Sequence, residues 1–153
     1  MTTATHPLKV IQDYPVIPVY YHDDADTCLE VLKASYAGGI RVFEFTNRGE
    51  KAPANFKVLI DYRNEHLPEL KLGIGTIKTV AQAEAYIKLG ADFIVSPIVR
   101  ADLAAITKAK QVFWIPGCMT PTEINLAEEL GAELVKLFPG DTLGPGFLKA
   151  IKP

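Results

Sequence analysis

Two ionisable residues, Glu44 and Lys136, occupy matching places in a sequence pattern that occurs three times along the chain. Each copy has a helical stretch, a glycine, a small or apolar residue and then an apolar run. The final parts of the copies are residues 39–44, 90–95 and 131–136. With the glycines aligned, Glu44, Val95 and Lys136 fall at the same position. Because a charge in a strand core is unfavourable without a partner or a function, the two ionisable side chains are the first candidates for chemistry.

Lys136 lies among apolar neighbours, which favour the neutral form of its amine. A neutral amine is a nucleophile that forms a Schiff base with a carbonyl substrate. The alternative is an edge lysine whose ammonium group reaches solvent. Glu44 would move protons to and from the intermediates of such a reaction, or it would be the structural ion-pair partner of Lys136. The two roles of Glu44 are compatible.

Two further polar residues follow the ends of different predicted strands. Arg48 carries a fork of donors that holds a carboxylate in bidentate fashion, although an ordinary loop arginine explains its spacing better. Thr76 ends the run Gly73-Ile74-Gly75-Thr76, where the glycines let a ligand approach the backbone and the hydroxyl can donate to a carboxylate. A tight turn explains this run about as well.

Apolar runs of strand length alternate with helical patterns along the chain. The predicted strands are residues 16–20, 41–46, 71–75, 93–96, 112–115 and 134–138. The predicted helices are residues 25–37, 52–65, 80–89, 101–108 and 121–130. We interpret Pro116-Gly117 as a break at a strand end. Because the strands are apolar throughout, the fold class is α/β, with a parallel sheet covered by helices.

An open doubly wound sheet and a closed (β/α)8 TIM barrel both fit this alternation. The first strand is not followed by the GxGxxG pattern of a dinucleotide-binding sheet. Alternate strands of a barrel supply each interior layer, which would place Glu44, Val95 and Lys136 in one layer. We therefore predict a single barrel domain over residues 1–153. A barrel has eight strands and this chain supplies six, so we expect the barrel to be incomplete at its C-terminal side.

Composition narrows the class of protein. With 48% hydrophobic and 22% charged residues, the chain is typical of a soluble globular domain. A net charge of -2 gives no argument for nucleic acid or an anionic membrane as a partner. No apolar run approaches the roughly 20 residues of a membrane span. Cys28 and Cys118 match neither a metal-site spacing nor a disulfide framework. We expect a cytoplasmic location.

Six short motifs follow one another along the chain from about residue 10 to its end. They are Ile17-Pro18-Val19, Gly38-Gly39-Ile40-Arg41-Val42-Phe43-Glu44-Phe45-Thr46-x-Arg48, Gly73-Ile74-Gly75-Thr76, Ser96-Pro97, Pro116-Gly117-x-x-Thr120-Pro121-x-Glu123 and Val135-Lys136-Leu137-Phe138-Pro139. In this order they resemble the KDPG/KHG aldolase family. These are class I aldolases that cleave 2-keto-3-deoxy-6-phosphogluconate and 4-hydroxy-2-oxoglutarate. The combination is far more specific than any single motif.

The resemblance implies a (β/α)8 barrel, usually a homotrimer, that uses no metal and no organic cofactor. Carried over by position, Lys136 would be the Schiff-base lysine and Glu44 the general acid and base. Arg48 and Thr76 would hold the carboxylate of pyruvate, and Pro97 would line the pocket. The implied partner is a small keto acid, and the implied reaction releases pyruvate and an aldehyde.

Two positions depart from the common family pattern. Asn47 stands where an apolar residue is frequent, and Gly140 stands where alanine is frequent. In the family, loops after the seventh and eighth strands bind the substrate phosphate, and we expect those loops to be missing here. The sequence therefore leaves phosphorylated and unphosphorylated substrates open. The alternatives are a truncated barrel without activity, or another phosphate-binding (β/α)8 enzyme in which Lys136 stabilises charge.

Overall fold

A computed structural model describes residues 6–152 of the chain. The strands are β1 Val19–Tyr20, β2 Val42–Thr46, β3 Lys71–Gly75, β4 Phe93–Ser96, β5 Phe113–Cys118 and β6 Lys136–Leu137. The helices are α1 Pro7–Asp13, α2 Ala25–Ala37, α3 Ala52–His66, α4 Val80–Leu89, α5 Ala101–Ala109, α6 Pro121–Glu129 and α7 Gly140–Ile151. All strand pairs are parallel and follow chain order, so the sheet is a half-barrel with helices in its connections.

Local sequence signals set most helix boundaries. Asp24 and Thr79 accept backbone N–H groups at the starts of α2 and α4, and Thr120 and Glu123 form a reciprocal capping box at α6. Gly90 ends α4 with a φ of 103°, a conformation that glycine adopts without steric penalty. These caps explain why the predicted bounds of α2 and α4 are confirmed. Within residues 6–152, no helix has the length and apolar character needed to cross a membrane.

Alternate strand residues pack into two separate cores, because successive side chains of a strand point to opposite faces. The outer core joins the sheet to helices α2 to α5, and its strand residues include Phe43, Phe45, Leu72, Ile74, Ile94 and Trp114. The inner core contains the strand residues Val42, Phe93, Val95, Phe113 and Ile115. Side chains on the inner face therefore meet other strands of the half-barrel and not helices α2 to α5.

Helix α1 is absent from the expectations drawn from the sequence. It begins with Pro7, a residue suited to the first helical turn, and buries Ile11 in the inner core. Leu8 and Val10 pack against the same core. The helix has only seven residues, too few for a clear apolar period. Its apolar side chains cover part of the inner face that the other helices leave open.

Four strands differ from their predicted bounds, and β2 differs only in starting at Val42 instead of Arg41. β1 and β6 are two residues long, and β5 continues through Pro116-Gly117 to Cys118. The interpretation of Pro116-Gly117 as a strand-end break is therefore wrong. A proline removes one donor but does not prevent pairing, and Pro116 lies opposite Ser96 in the ladder. At Gly117 a Cβ atom would lie 2.5 Å from the carbonyl oxygen of Pro97, so glycine permits this close approach.

A buried ion pair fastens α3 to the sheet. Arg63 is 8% exposed, and its guanidinium donates to the Asp92 carboxylate and to the carbonyl oxygens of Leu70 and Gly90, each carbonyl at 3.2 Å. Asp92 also accepts the backbone N–H of Leu72 at 2.8 Å. The pair thus connects α3 with the starts of β3 and β4.

Replacing Asp92→Ala would leave the Arg63 guanidinium buried without its counter-charge. We expect the free energy of unfolding to fall by about 3 kcal/mol, as for other buried pairs that lose one partner. Asp61→Ala is the matched control, because Asp61 pairs with Lys57 on the exposed side of α3 and exposed pairs contribute little. Urea unfolding of both variants measures the difference, and equal losses would contradict the assigned role of Asp92.

Candidate active site

The acid and the amine found in the sequence repeat are in contact. The Lys136 Nζ atom lies 3.4 Å from both carboxylate oxygens of Glu44, across 92 residues of sequence. Glu44 is 4% exposed at the centre of β2, whereas the Lys136 side chain is 31% exposed in β6. Lys136 pairs with Gly117, near the carboxyl end of β5. In open parallel α/β sheets, ligands bind at the carboxyl ends of the strands.

A cavity of about 200 Å³ lies beside this pair. Glu44, Val95 and Lys136 all line it, so the predicted common layer of these three side chains is confirmed. The remaining lining residues are apolar: Ile17, Val19, Phe93, Ile115, Leu134 and Val135. The volume is below the roughly 300 Å³ at which pockets for drug-sized ligands begin. The cavity therefore suits a small ligand with one polar group aimed at the amine and acid.

Strand β3 makes room for the site because two of its inward positions, Gly73 and Gly75, carry no side chain. A Cβ atom on Gly75 would overlap the carboxylate of Glu44. A Cβ atom on Gly73 would overlap the ring of Phe93. Thus the two glycines, which the sequence analysis associates with a ligand or a turn, accommodate an acid and an aromatic ring of the protein itself.

Burial controls the protonation of Glu44. Removal from water disfavours the carboxylate and raises the pKa of Glu44 above its ordinary value. The positive charges of Lys136 and Arg48 act in the opposite direction, as does the hydrogen bond from Lys136. Because desolvation is the largest of these effects, the acid holds its proton more firmly than a surface glutamate. A carboxyl group whose pKa is raised in this way is suited to accepting and releasing a proton in a reaction.

The three other residues predicted for the site are not among those that line the 200 Å³ cavity. Arg48 is exposed just after β2, close enough for its charge to lower the pKa of Glu44. Thr76 is half-buried after β3 and has a φ of 63°, a rare conformation for a residue with a side chain. Pro97 is half-buried after β4. Their roles stay predictions.

Phe138 lies beside Lys136, and the sequence motifs alone assign it no role. Its ring centroid lies 5.5 Å from the Lys136 Nζ atom, within the range of a cation–π contact, and the residue is 41% exposed. The signal for it was available in the sequence. Phe138 is two residues beyond Lys136, and residues two apart along extended chain point to the same side.

A larger cavity of about 410 Å³ lies near the starts of β5 and β6. Its lining includes Gln111, Phe113 and Trp114 together with His6 and Glu133, which form an exposed contact at 3.6 Å. Among the described residues that line this cavity, no buried acid contacts an amine. By size alone this larger cavity would be the candidate active site. The smaller cavity is the better candidate because a desolvated carboxyl group contacts Lys136 beside it.

Comparison with known proteins gives matches over most of the chain. The family model described as KDPG and KHG aldolase matches residues 8–153. The chain is 34% identical over 136 residues to the 2-dehydro-3-deoxy-phosphogluconate aldolase of Treponema pallidum, covering 89% of this chain and 63% of that protein. It is 30% identical over 136 residues to the KHG/KDPG aldolase of Escherichia coli, and this match covers 89% of this chain and 62% of that protein. The chain therefore spans less than two thirds of the length of these curated relatives.

A solved structure with the same arrangement of strands is that of KDPG aldolase from Legionella pneumophila, with pyruvate captured at low pH as a covalent carbinolamine intermediate. The TM-score is 0.86 at 31% sequence identity, and the match covers 96% of this chain and 70% of that chain. This likeness supports the half-barrel of parallel strands as the fold of residues 6–152.

The raised pKa of Glu44 predicts how Glu44→Gln changes the pH dependence of stability. Between the ordinary pKa of the unfolded chain and the raised folded value, the folded state binds more protons, so rising pH lowers the free energy of unfolding. Glutamine removes this effect. The variant should therefore gain stability relative to the wild type as pH rises from about pH 4 to the raised folded pKa, by about 1.4 kcal/mol for each pH unit in that range.

Urea unfolding at several pH values measures this trend. Glu84→Gln on the exposed side of α4 is the control, because that side chain stays in water in both states. If the stability of Glu44→Gln relative to the wild type decreases as pH rises, attraction to Lys136 outweighs desolvation and the assigned cause is wrong.

Proposed function

The chain belongs to the KDPG and KHG aldolase family, and from this premise we propose that it forms the Schiff-base site of a class I aldolase. The full-length enzyme would cleave a substrate of the 2-keto-3-deoxy-6-phosphogluconate or 4-hydroxy-2-oxoglutarate type to pyruvate and an aldehyde. The observation that carries the proposal is the contact between a buried carboxyl group and a strand amine beside a small apolar cavity.

Lys136 is the proposed nucleophile. Its neutral amine attacks the C2 ketone of the substrate, forms a carbinolamine and loses water to give an iminium ion. The iminium then accepts the electron pair of the C3–C4 bond as this bond breaks. Protonation of the resulting enamine and hydrolysis of the imine release pyruvate and restore the amine. Lys136 lines the small cavity together with apolar side chains, so the attack on the ketone would take place beside the Glu44 carboxyl group.

Glu44 is the proposed acid and base. Its two oxygens, both 3.4 Å from the Nζ atom, are close to every proton that moves when the carbinolamine forms and loses water. As a carboxylate it takes the C4 hydroxyl proton while the C3–C4 bond breaks. As a carboxylic acid it returns a proton to the enamine. Burial, which raises the pKa of Glu44, makes both forms accessible during one cycle.

Arg48 and Thr76 are the proposed contacts for the substrate carboxylate, and Pro97 is proposed to line the pocket. All three follow the ends of neighbouring strands β2, β3 and β4, on the same side of the sheet. The positive charge of Arg48 acts on Glu44, so it also acts on a carboxylate bound near the same site. Thr76 adds a neutral hydroxyl donor.

The finer fold and the assembly are proposals of the same kind. Parallel strands in chain order, with an inner core separate from the helix layer, support a (β/α)8 barrel as the complete fold. The family resemblance favours a homotrimer of the full-length protein that acts on a small keto acid, and the cytoplasmic location expected from the sequence is proposed with it.

Borohydride reduction in the presence of pyruvate should attach one pyruvyl group to Lys136, because only an imine is reduced to a permanent adduct. Intact mass and peptide mapping of the 153-residue chain give the number and place of adducts. Lys136→Met should abolish the adduct. Lys71→Met is the matched control, since Lys71 is also a strand lysine and is more buried than Lys136, and it should leave the adduct unchanged. An adduct that maps to another lysine would refute the proposed nucleophile.

The carboxylate contacts predict an order of effects on the pyruvate concentration that gives half-maximal trapping. Arg48→Ala removes a charge-assisted contact and should weaken binding by about 2 kcal/mol. Thr76→Val removes one neutral hydrogen bond at nearly constant volume and should weaken binding less, by about 1 kcal/mol. Titration of the trapping reaction with pyruvate compares the two. If Arg48→Ala leaves the half-maximal concentration unchanged, the carboxylate is held elsewhere.

A further inference from the structure

Asn47 is the middle residue of the turn that follows β2. Its backbone N–H donates to the carbonyl oxygen of Gly75 at 2.9 Å, and the N–H of Arg48 donates back to the carbonyl oxygen of Thr46 at 3.0 Å. The chain thus leaves the sheet at Asn47, and the direction of this turn sets where the backbone of Arg48 begins.

The side chain of Asn47 is held by a residue 39 positions further along. The hydroxyl of Tyr86 donates to the Asn47 Oδ1 atom at 2.8 Å. Burial raises the pKa of Tyr86 to about 12, so the hydroxyl keeps its proton and acts as a donor. An apolar side chain at position 47 would leave this hydroxyl without its acceptor.

The donor is rigid because its ring is packed in the outer core. Tyr86 is 2% exposed and contacts Phe56 edge to face, with ring centroids 5.3 Å apart. Phe56 in turn stacks on Phe45 of β2 at 6.3 Å. The hydrogen bond therefore connects a fixed point on helix α4 to a turn at the surface, and it restrains the turn more than the helix.

Helix α4 begins shortly after Thr76, with Thr79 as its cap. The Asn47–Tyr86 bond consequently joins the turn before Arg48 to the element that follows Thr76. The backbone hydrogen bond from Asn47 to Gly75 joins the same turn to the residue directly before Thr76. Asn47 is therefore fixed at two points on the β3–α4 part of the chain.

We propose that Asn47 and Tyr86 are positioning residues, which fix Arg48 relative to Thr76 so that both reach one keto-acid carboxylate; this inference rests on the proposed function. Neither residue touches the reacting atoms. Without the bond the turn samples other conformations, and Arg48 must be ordered when the ligand binds. The loss should appear in the affinity for pyruvate and not in the final amount of imine.

The test is a double-mutant cycle read by borohydride trapping of pyruvate. Tyr86→Phe and Asn47→Leu should each raise the half-maximal pyruvate concentration about fivefold, with an unchanged final yield of adduct. The double variant should also raise the half-maximal pyruvate concentration about fivefold, because each single change already breaks the hydrogen bond. Tyr36→Phe is the control, since the Tyr36 hydroxyl bonds Glu69 at the surface and should leave the titration unchanged.

The remaining outcomes separate this inference from the proposed function. If Tyr86→Phe unfolds at lower urea concentration but binds pyruvate as the wild type does, the bond is structural and the inference fails. If the double variant shows the product of the single effects, the two residues act independently and the inference also fails. If Asn47→Leu does not fold, Asn47→Ala replaces it in both the single and the double variant, because alanine also removes the acceptor of the Tyr86 hydroxyl. A wild-type chain that forms no adduct overturns both the proposed function and this inference.

Discussion

The site depends on a carboxyl group that is almost completely removed from water and meets an amine from a distant strand. Glu44 and Lys136 stand four strand pairings apart in the sheet, so their contact exists only if the half-barrel curves enough to bring β2 and β6 across one cavity. Desolvation and ion pairing act on this acid in opposite directions, and desolvation is the stronger effect. The protonation of the site is therefore set by the shape of the sheet.

The rest of the inner face is arranged around that pair. Alternation along the strands sends the large aromatic residues of β2 to the outer core, while Val42 and Glu44 face inward. Strand β3 contributes no side chain at Gly73 and Gly75, which leaves the volume that Phe93 and Glu44 fill. Helix α1 covers part of the same face with Ile11. A small cavity with one polar pair is what this distribution of side-chain volume produces.

Periodic and local signals in the sequence were sufficient for most elements and for the central pair. The bounds of β3, β4, α2 and α4 follow from apolar runs and caps, and the aligned repeats identified Glu44 and Lys136 as neighbours. The signals failed where tertiary packing decides. Proline and glycine suggest a turn at Pro116-Gly117, yet neighbouring strands extend β5 through them. The places of Arg48 and Thr76 depend on turns whose restraints, such as Tyr86, lie far away in sequence.

The missing side chain at Gly75 has a consequence for how this sequence can change over time. A methyl group at position 75 would occupy the space of the Glu44 carboxylate, so the two positions cannot vary independently. Alanine at position 75 would displace the carboxylate, because its Cβ atom would overlap the Glu44 Oε1 atom. A shorter acid at position 44 would keep its Cγ atom, which lies 3.1 Å from the same Cβ position, so shortening the acid would not restore ordinary contact distances by itself. Epistasis at these two positions follows from a single atomic overlap.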